Sequence, residues 1–229
     1  MKALGPRIDF HVHSIFSDGA LLPGALAYEA ANRKHLAIAI TDHVDPSNLE
    51  EVVFALTKFV KETEKLLPVK VIPGVEISYL PPKLIEKYAI KARNLGAKVV
   101  IVHGESPVEP VPKGTNHEAV KLKGIVDILA HPGWINEEDA LLAKVNNIYL
   151  ELSAKTGHRQ GNGHVAKMAK EFKTKLLVNT DTHSEKDFIS QGQAYQVALD
   201  AGLSREEAGR VVRDYPMELL KRVTQKNSG

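Results

Sequence analysis

The 229-residue chain contains no cysteine. That absence excludes a disulfide framework, a thiolate metal site and a cysteine nucleophile. Aromatic residues are few, 6% with a single tryptophan, and they are not interleaved with basic residues as in a single-stranded nucleic-acid binder. Neither sign of charge prevails. Thirty Lys and Arg stand against 28 Asp and Glu, a formal net charge of +2, too little to imply a dedicated nucleic-acid partner. A local cationic site for a small anion is still compatible with this balance. Long apolar runs are missing as well: Val69–Val75 and Ile125–Ala130 are far too short to cross a bilayer. The leading MKALGPRIDF lacks the apolar stretch of a secretory signal. The expectation is a soluble, cytoplasmic protein without a membrane partner; oligomeric state is not legible.

What is present begins with a globular balance of 43% hydrophobic and 25% charged residues, enough to bury a core without staples. Short Val/Ile/Leu-rich runs recur at 8–14, 36–43, 70–78, 98–105, 125–133, 148–155 and 175–184, and read as buried strands. Between them lie segments of helical period: 23–34, 49–67, 83–95, 136–145, 163–172, 193–201, 204–214 and 217–223. Ser47 with Glu50, and Ser204 with Glu207, have the spacing of capping boxes. Seven strands alternating with helices imply an α/β fold with a parallel sheet and right-handed crossovers, either an open doubly wound sheet or a closed barrel. No linker interrupts the pattern, so residues 1–229 are read as a single domain. The proline-rich segment 104–121 reads as a rigid active-site loop.

The ionisable residues fall at the strand ends. His11 and His13 end the first strand, followed by Asp18; Asp42-His43 ends the second and Glu76 the third. His103-Gly104-Glu105 ends the fourth, His131-Pro132-Gly133 the fifth and Asp181-Thr182-His183 the seventh. Six of the ten histidines thus occupy the carboxyl ends of strands, where parallel α/β folds gather ligands and catalysis. One such histidine is ordinary; six with several carboxylates form a pattern. Residues i and i+2 share a strand face, so His11 pairs with His13 and Asp181 with His183. Imidazole and carboxylate donors without thiols suit Mn, Fe or Zn. About nine ligands are too many for one ion, so two to three divalent ions are expected, and such clusters hydrolyse phosphoesters.

HVHSIFSDG, AITDH, PGVEIS, VIVHGE, LAHPG and VNTDTHS, in this order, resemble the polymerase and histidinol phosphatase (PHP) family over roughly residues 8–184. The resemblance implies a distorted (β/α)7 barrel with the metal site at the strand C-terminal ends. It implies a trinuclear centre: His11, His13, Glu76 and Asp181 on one ion, Glu76 bridging to a second held by His103 and His131, and Asp18, His43 and His183 on the third. It further implies a hydrolase in which a metal-bridging hydroxide attacks phosphorus, with His11, His13, Glu76, Asp181 and His183 as the catalytic set. The expected substrate is a small phosphomonoester such as histidinol phosphate. The alternative is a phosphodiesterase or exonuclease acting on nucleotides or oligonucleotides. An amidohydrolase fits the SDG, TDH and DTH motifs and the seven strands poorly.

Substrate contacts are expected from Arg159 and Lys155, in the glycine-rich turn after the sixth strand, and from Lys113, with His158 as a further candidate. Asn116 is a weaker candidate. Glu105 and Asp9 share faces with His103 and His11 and are candidates to orient them; Asp42 acts, if at all, through its turn. His35, His117 and His164 are expected at the surface. Trp134 is expected either to stack on a ring-bearing substrate or to pack in the core.

Overall fold

The computed structural model describes residues 3–225. Its strands are β1 (Arg7–Val12), β2 (His35–Ile40), β3 (His43–Val44), β4 (Lys70–Ile77), β5 (Val99–His103), β6 (Ile128–Ala130), β7 (Tyr149–Ser153) and β8 (Leu176–Asn179). All paired strands are parallel, in the order β1-β2-β4-β5-β6-β7-β8, with the two-residue β3 paired beside β4. The seven expected strands are all there, and β3 is the separated tip of the second. The helices are α1 (Pro23–Asn32), α2 (Leu49–Thr63), α3 (Pro82–Leu95), α4 (Thr115–Lys121), α5 (Glu137–Val145), α6 (Asn162–Phe172), α7 (Gln191–Asp200), α8 (Arg205–Gly209) and α9 (Tyr215–Gln225). A π-helical turn, Arg210–Asp214, joins the last two. Helix α4 lies in the segment read from sequence as loop. At seven residues just after Pro110 and Pro112, it is too short to display a period.

The sheet closes on itself through a seam. A single bridge, Val12 with Thr182, joins the β1 end to the segment after β8. Below it, side chains replace the backbone ladder. Arg7 Nη1 donates to the Val178 carbonyl (2.8 Å), Phe10 N to Asn179 Oδ1 (3.1 Å), and Thr180 N to Asp9 Oδ1 (3.2 Å). This is the distortion of a (β/α)7 barrel. Alternate strand residues fill the interior, among them Ile8, Phe10, Ile72, Ile101 and Leu177, and Leu219, Leu220 and Val223 of α9 plug the amino-terminal end. The opposite parity packs outward against the helices, as Ile38, Val100 and Val178 do. The carboxyl end of the barrel is left open to the polar groups that end the strands.

Caps differ in part from the sequence pattern. Ser204 and Glu207 form a capping box on α8, and Ser190 with Gln193 forms another on α7. At α2 the N-cap is Asn48; Ser47 Oγ donates instead to Asp45 Oδ1 (2.6 Å), because the preceding turn engages it. Among the described residues no helix is long and apolar enough to cross a membrane.

Candidate metal centre

The interior parity of the strands delivers the polar groups. On β4, Ile72 is followed by Gly74 and Glu76; on β5, Ile101 by His103; on β8, Leu177 by Asn179 and then Asp181. Two elements depart from alternation. A register shift between Asp9 and Val12 sends Val12 to the outer core, after Ile8 and Phe10 have pointed inward, and turns His11 and His13 inward. His131 follows the inward Ala130 yet also faces the centre, through a backbone φ of 27°. Asp181 has φ 54°. Such backbone costs about 1–3 kcal/mol per residue and persists where the surroundings dictate it. Gly19 and Gly133 allow two loops to close. A Cβ on Gly19 would lie 2.4 Å from the His13 carbonyl oxygen, and one on Gly133 (φ 58°) 2.2 Å from that of Glu105.

Nine side chains converge there in four overlapping groups whose ligand atoms lie within 4.8 Å of one another. The groups are His11–His13–Glu76, His11–His131–Asp181, Glu76–His103–His131, and His13–Asp18–His43–His183. His11 Nε2 is 3.1 Å from Glu76 Oε2 and 3.6 Å from Asp181 Oδ1. His13 Nε2 is 3.0 Å from Asp181 Oδ1, and His131 Nε2 is 3.6 Å from Glu76 Oε1. His183 Nε2 is 3.2 Å from Asp18 Oδ2. The structure thus brings together every residue of the expected ligand set, and adds His13 to the Asp18 group. Side-chain exposures of 57%, 18% and 20% at Asp18, His43 and His183 mark that group as the open side; the other ligands are buried.

These ligand contacts are close but not aligned as hydrogen bonds, which leaves His11 Nε2, both ring nitrogens of His13 and His131, both Glu76 oxygens and Asp181 Oδ1 unsatisfied. Each such group costs roughly 1–3 kcal/mol when left unsatisfied, and buried polar atoms are nearly always paired. A set of orphaned imidazole nitrogens and carboxylate oxygens facing one another fits divalent ions with N/O preference. Protonation equilibria differ across the cluster: burial opposes the charged form of His11 and His103, but Glu76 with Glu151 and Asp181 raises the first and Glu76 with Glu109 raises the second. Burial lowers the His13 pKa to about 4, leaving a neutral ligand nitrogen. Burial opposes ionisation of Glu76, but His11, His43 and His103 outweigh it and hold the carboxyl well below its usual range.

Around the cluster lie residues that orient it. His11 Nδ1 is 2.9 Å from Glu151 Oε2, which also accepts Asn179 Nδ2 (2.9 Å). His43 Nδ1 is 2.6 Å from Ser78 Oγ. Asp42 accepts Ser14 N (2.7 Å), Ser14 Oγ (2.7 Å) and Ser17 Oγ (2.8 Å), and so pins the loop that presents Asp18. Glu109 reaches His103 Nε2 (3.2 Å), His158 Nε2 (3.5 Å) and Lys155 Nζ (3.7 Å). Sequence reasoning missed Glu109 and Glu151. A carboxylate inside the apolar run Tyr149–Ser153 was itself a signal; Glu109, in a proline-rich loop, offered none.

Of the four substrate candidates, two reach the cluster. Lys155 Nζ is 3.2 Å from Asp181 Oδ2, and His158 is buried with Nε2 3.5 Å from the same oxygen. Arg159 is exposed, and its Nε donates to the Ala154 carbonyl (2.6 Å). Lys113 is exposed in a separate hollow with Trp134, His117 and Asp139. Glu105 does not orient His103, because β5 ends at His103 and alternation stops; its Oε1 accepts Gly114 N (2.9 Å) and Asn116 N (3.1 Å). Asn116 in turn donates to the Pro132 carbonyl (2.9 Å), a loop tie. Asp9 pairs with Arg7 (2.9 Å) and accepts the backbone N of His11, not its ring. His35 is buried, not superficial, because β2 begins there beneath Phe188. His117 meets Asp139 (2.7 Å), and half-buried His164 lies 2.6 Å from the Ile135 carbonyl. Trp134 is exposed rather than packed in the core, edge-on to His164.

With this geometry, the match of residues 9–182 to the PHP domain decides the family. The chain belongs to the PHP domain family. An uncharacterized protein of Methanocaldococcus jannaschii is 48% identical over 218 residues, covering 95% of this chain and all of that protein. The DNA polymerase/3'-5' exonuclease PolX of Bacillus subtilis is 26% identical over 195 residues, 77% of this chain but only 34% of PolX. A probable histidinol-phosphatase of Clostridium acetobutylicum is 38% identical over 71 residues, 30% of this chain and 28% of that protein. The PHP domain relatives thus include enzymes described as acting on a small phosphate and on nucleic acid.

Proposed function

We propose that this PHP domain protein is a metal-dependent phosphoesterase that hydrolyses a small phosphomonoester of the histidinol phosphate type, with residues 1–229 acting as one unit. The observation that carries the reading is the convergence of orphaned, buried nitrogen and oxygen atoms beside Lys155 at the barrel mouth. His11, His13, Glu76 and Asp181 would hold one ion, Glu76, His103 and His131 a second, and Asp18, His43 and His183 a third, with His13 on the border. Bound Mn, Fe or Zn ions would polarise phosphoryl oxygens and lower the pKa of a water.

The chain's own residues do the rest. Lys155, half-buried beside Asp181, binds a phosphoryl oxygen, and its pKa is raised because the nearby Asp181 and Glu109 charges outweigh burial. Glu151 and Ser78 fix the ring orientations of His11 and His43. The exposed Asp18–His43–His183 side lets the leaving alcohol depart. A monoester is favoured because a terminal phosphate enters end-on, whereas a polynucleotide needs an extended cationic track. The test is turnover by Mn-, Fe- and Zn-loaded protein of histidinol phosphate and other monoesters, against bis-aryl and dinucleotide diesters. Monoester turnover lost on His11→Ala or Asp181→Ala, together with bound metal, supports the proposal. Turnover confined to diesters moves the assignment to a phosphodiesterase, and turnover surviving either substitution overturns the site.

A further inference from the structure

Tyr79 holds a left-handed backbone, φ 58°. Glycine or asparagine takes this conformation cheaply, whereas a bulky L side chain does so under strain. Its neighbours account for the turn. Ser78 N donates to the Val44 carbonyl (3.1 Å), Ser78 Oγ contacts His43, Leu80 is buried in the outer core, and Pro81 and Pro82 start α3. None of these anchors calls for an aromatic ring at position 79. The ring is not a core group either, since the residue is 57% exposed.

The ring leans over the site. Its centroid lies 5.3 Å from that of His103 and 6.3 Å from that of His43, at interplanar angles of 37° and 48°. It therefore covers two imidazoles assigned to different ions and keeps open surface at the mouth. Exposed Phe16 and Val108, on the loops after β1 and β5, add apolar surface at the same end of the barrel. The charged groups, by contrast, are tied to one another: Lys155 to Asp181 and Glu109, and Asp18 to His183.

Resting on the phosphoesterase reading above, we propose that Tyr79 is a specificity-determining residue whose ring stacks on a planar ring carried by the leaving alcohol. The substrate class is then a phosphomonoester with an aromatic or heteroaromatic group within a short linker of the phosphate. The strained position is retained for this contact, not for stability.

The experiment compares metal-loaded wild type, Tyr79→Phe, Tyr79→Ala and Tyr79→Asn. Calorimetry measures binding of phenylphosphonate and methylphosphonate, and metal content and melting temperature are recorded alongside. Wild type and Tyr79→Phe should prefer the phenyl compound by about fivefold or more, the size of one aromatic contact. Tyr79→Ala should bring the ratio near one with metal content unchanged, and Tyr79→Asn should melt at or above the wild-type temperature. An unchanged preference in Tyr79→Ala, or a preference lost in Tyr79→Phe, overturns the stacking role while leaving the phosphoesterase reading intact. Failure of metal-loaded wild type to bind either phosphonate overturns both.

Discussion

His158 lies flat against His131, the ring centroids 4.1 Å apart and the planes 14° from parallel. Its Nδ1 is 2.6 Å from Ser106 Oγ, so the loop after β5 holds His158, and His158 holds His131. His131 needs such a brace because its φ of 27° is dictated by its surroundings. His158→Ala should weaken metal binding by about 10- to 100-fold, the usual effect of removing a residue that orients a ligand. Titration with buffered Mn or Zn measures this; wild-type affinity in the variant contradicts it.

Lys155 and Arg159 separate two accounts of phosphate binding. Lys155→Met removes the cation 3.2 Å from Asp181 Oδ2 and should raise KM about 10- to 100-fold, as expected for a lost charge-assisted hydrogen bond. Arg159→Met, at a residue whose Nε is bonded to the Ala154 carbonyl, should change KM by less than about threefold, the range of an exposed charge. Steady-state kinetics on one monoester decides, and the reverse ranking would restore Arg159 as the clamp.

Removing metal should destabilise the fold, because the orphaned ligand atoms then face one another in the barrel. Ions present at 1,000 times their dissociation constant contribute about 4 kcal/mol. Calorimetric melting should show a fall of several degrees on chelation, reversed by adding Mn or Zn. A melting temperature indifferent to chelator would mean that no ion belongs there.

A pH effect arises at the bottom of the barrel, away from the ligands. Burial, followed by the charge of Arg7, lowers the His35 pKa from 6.5 to about 4. Between those values the unfolded chain takes up a proton that the folded chain refuses, so stability falls as pH drops through that window. At pH 5 the loss from this residue is about 2 kcal/mol relative to neutrality. Urea unfolding at pH 7.5 and 5.0 should show His35→Leu spared that share of the decline. Equal declines in the two proteins would contradict the assignment.

Much of this was legible in the sequence because alternation in a buried strand is rigid. Glu76 and His103 share interior parity with Ile72 and Ile101, and a period of two places them; Asp181, beyond the end of β8 with φ 54°, was legible as motif. The irregular steps were legible only as motif. A register shift turns His11 and His13 inward, and no local pattern announces it. Glu109 was the least legible: it reaches the site from a loop whose course depends on tertiary ties such as Glu105 to Gly114. His35 reads as superficial because it opens β2 directly after Arg33 and Lys34.

The seam between β1 and β8 also bears on how the site comes into being. His11 and His13 stand on one side of it, Asp181 and His183 on the other, some 170 positions apart along the chain. Until Arg7, Asp9 and Asn179 draw these edges together, none of the ligand groups that join His11 or His13 to Asp181 or His183 exists. Barrel closure therefore completes the two ligand groups that span the seam, whereas Glu76, His103 and His131 stand together on one side of it; an ion held across the seam would act as a clasp that favours the closed ring.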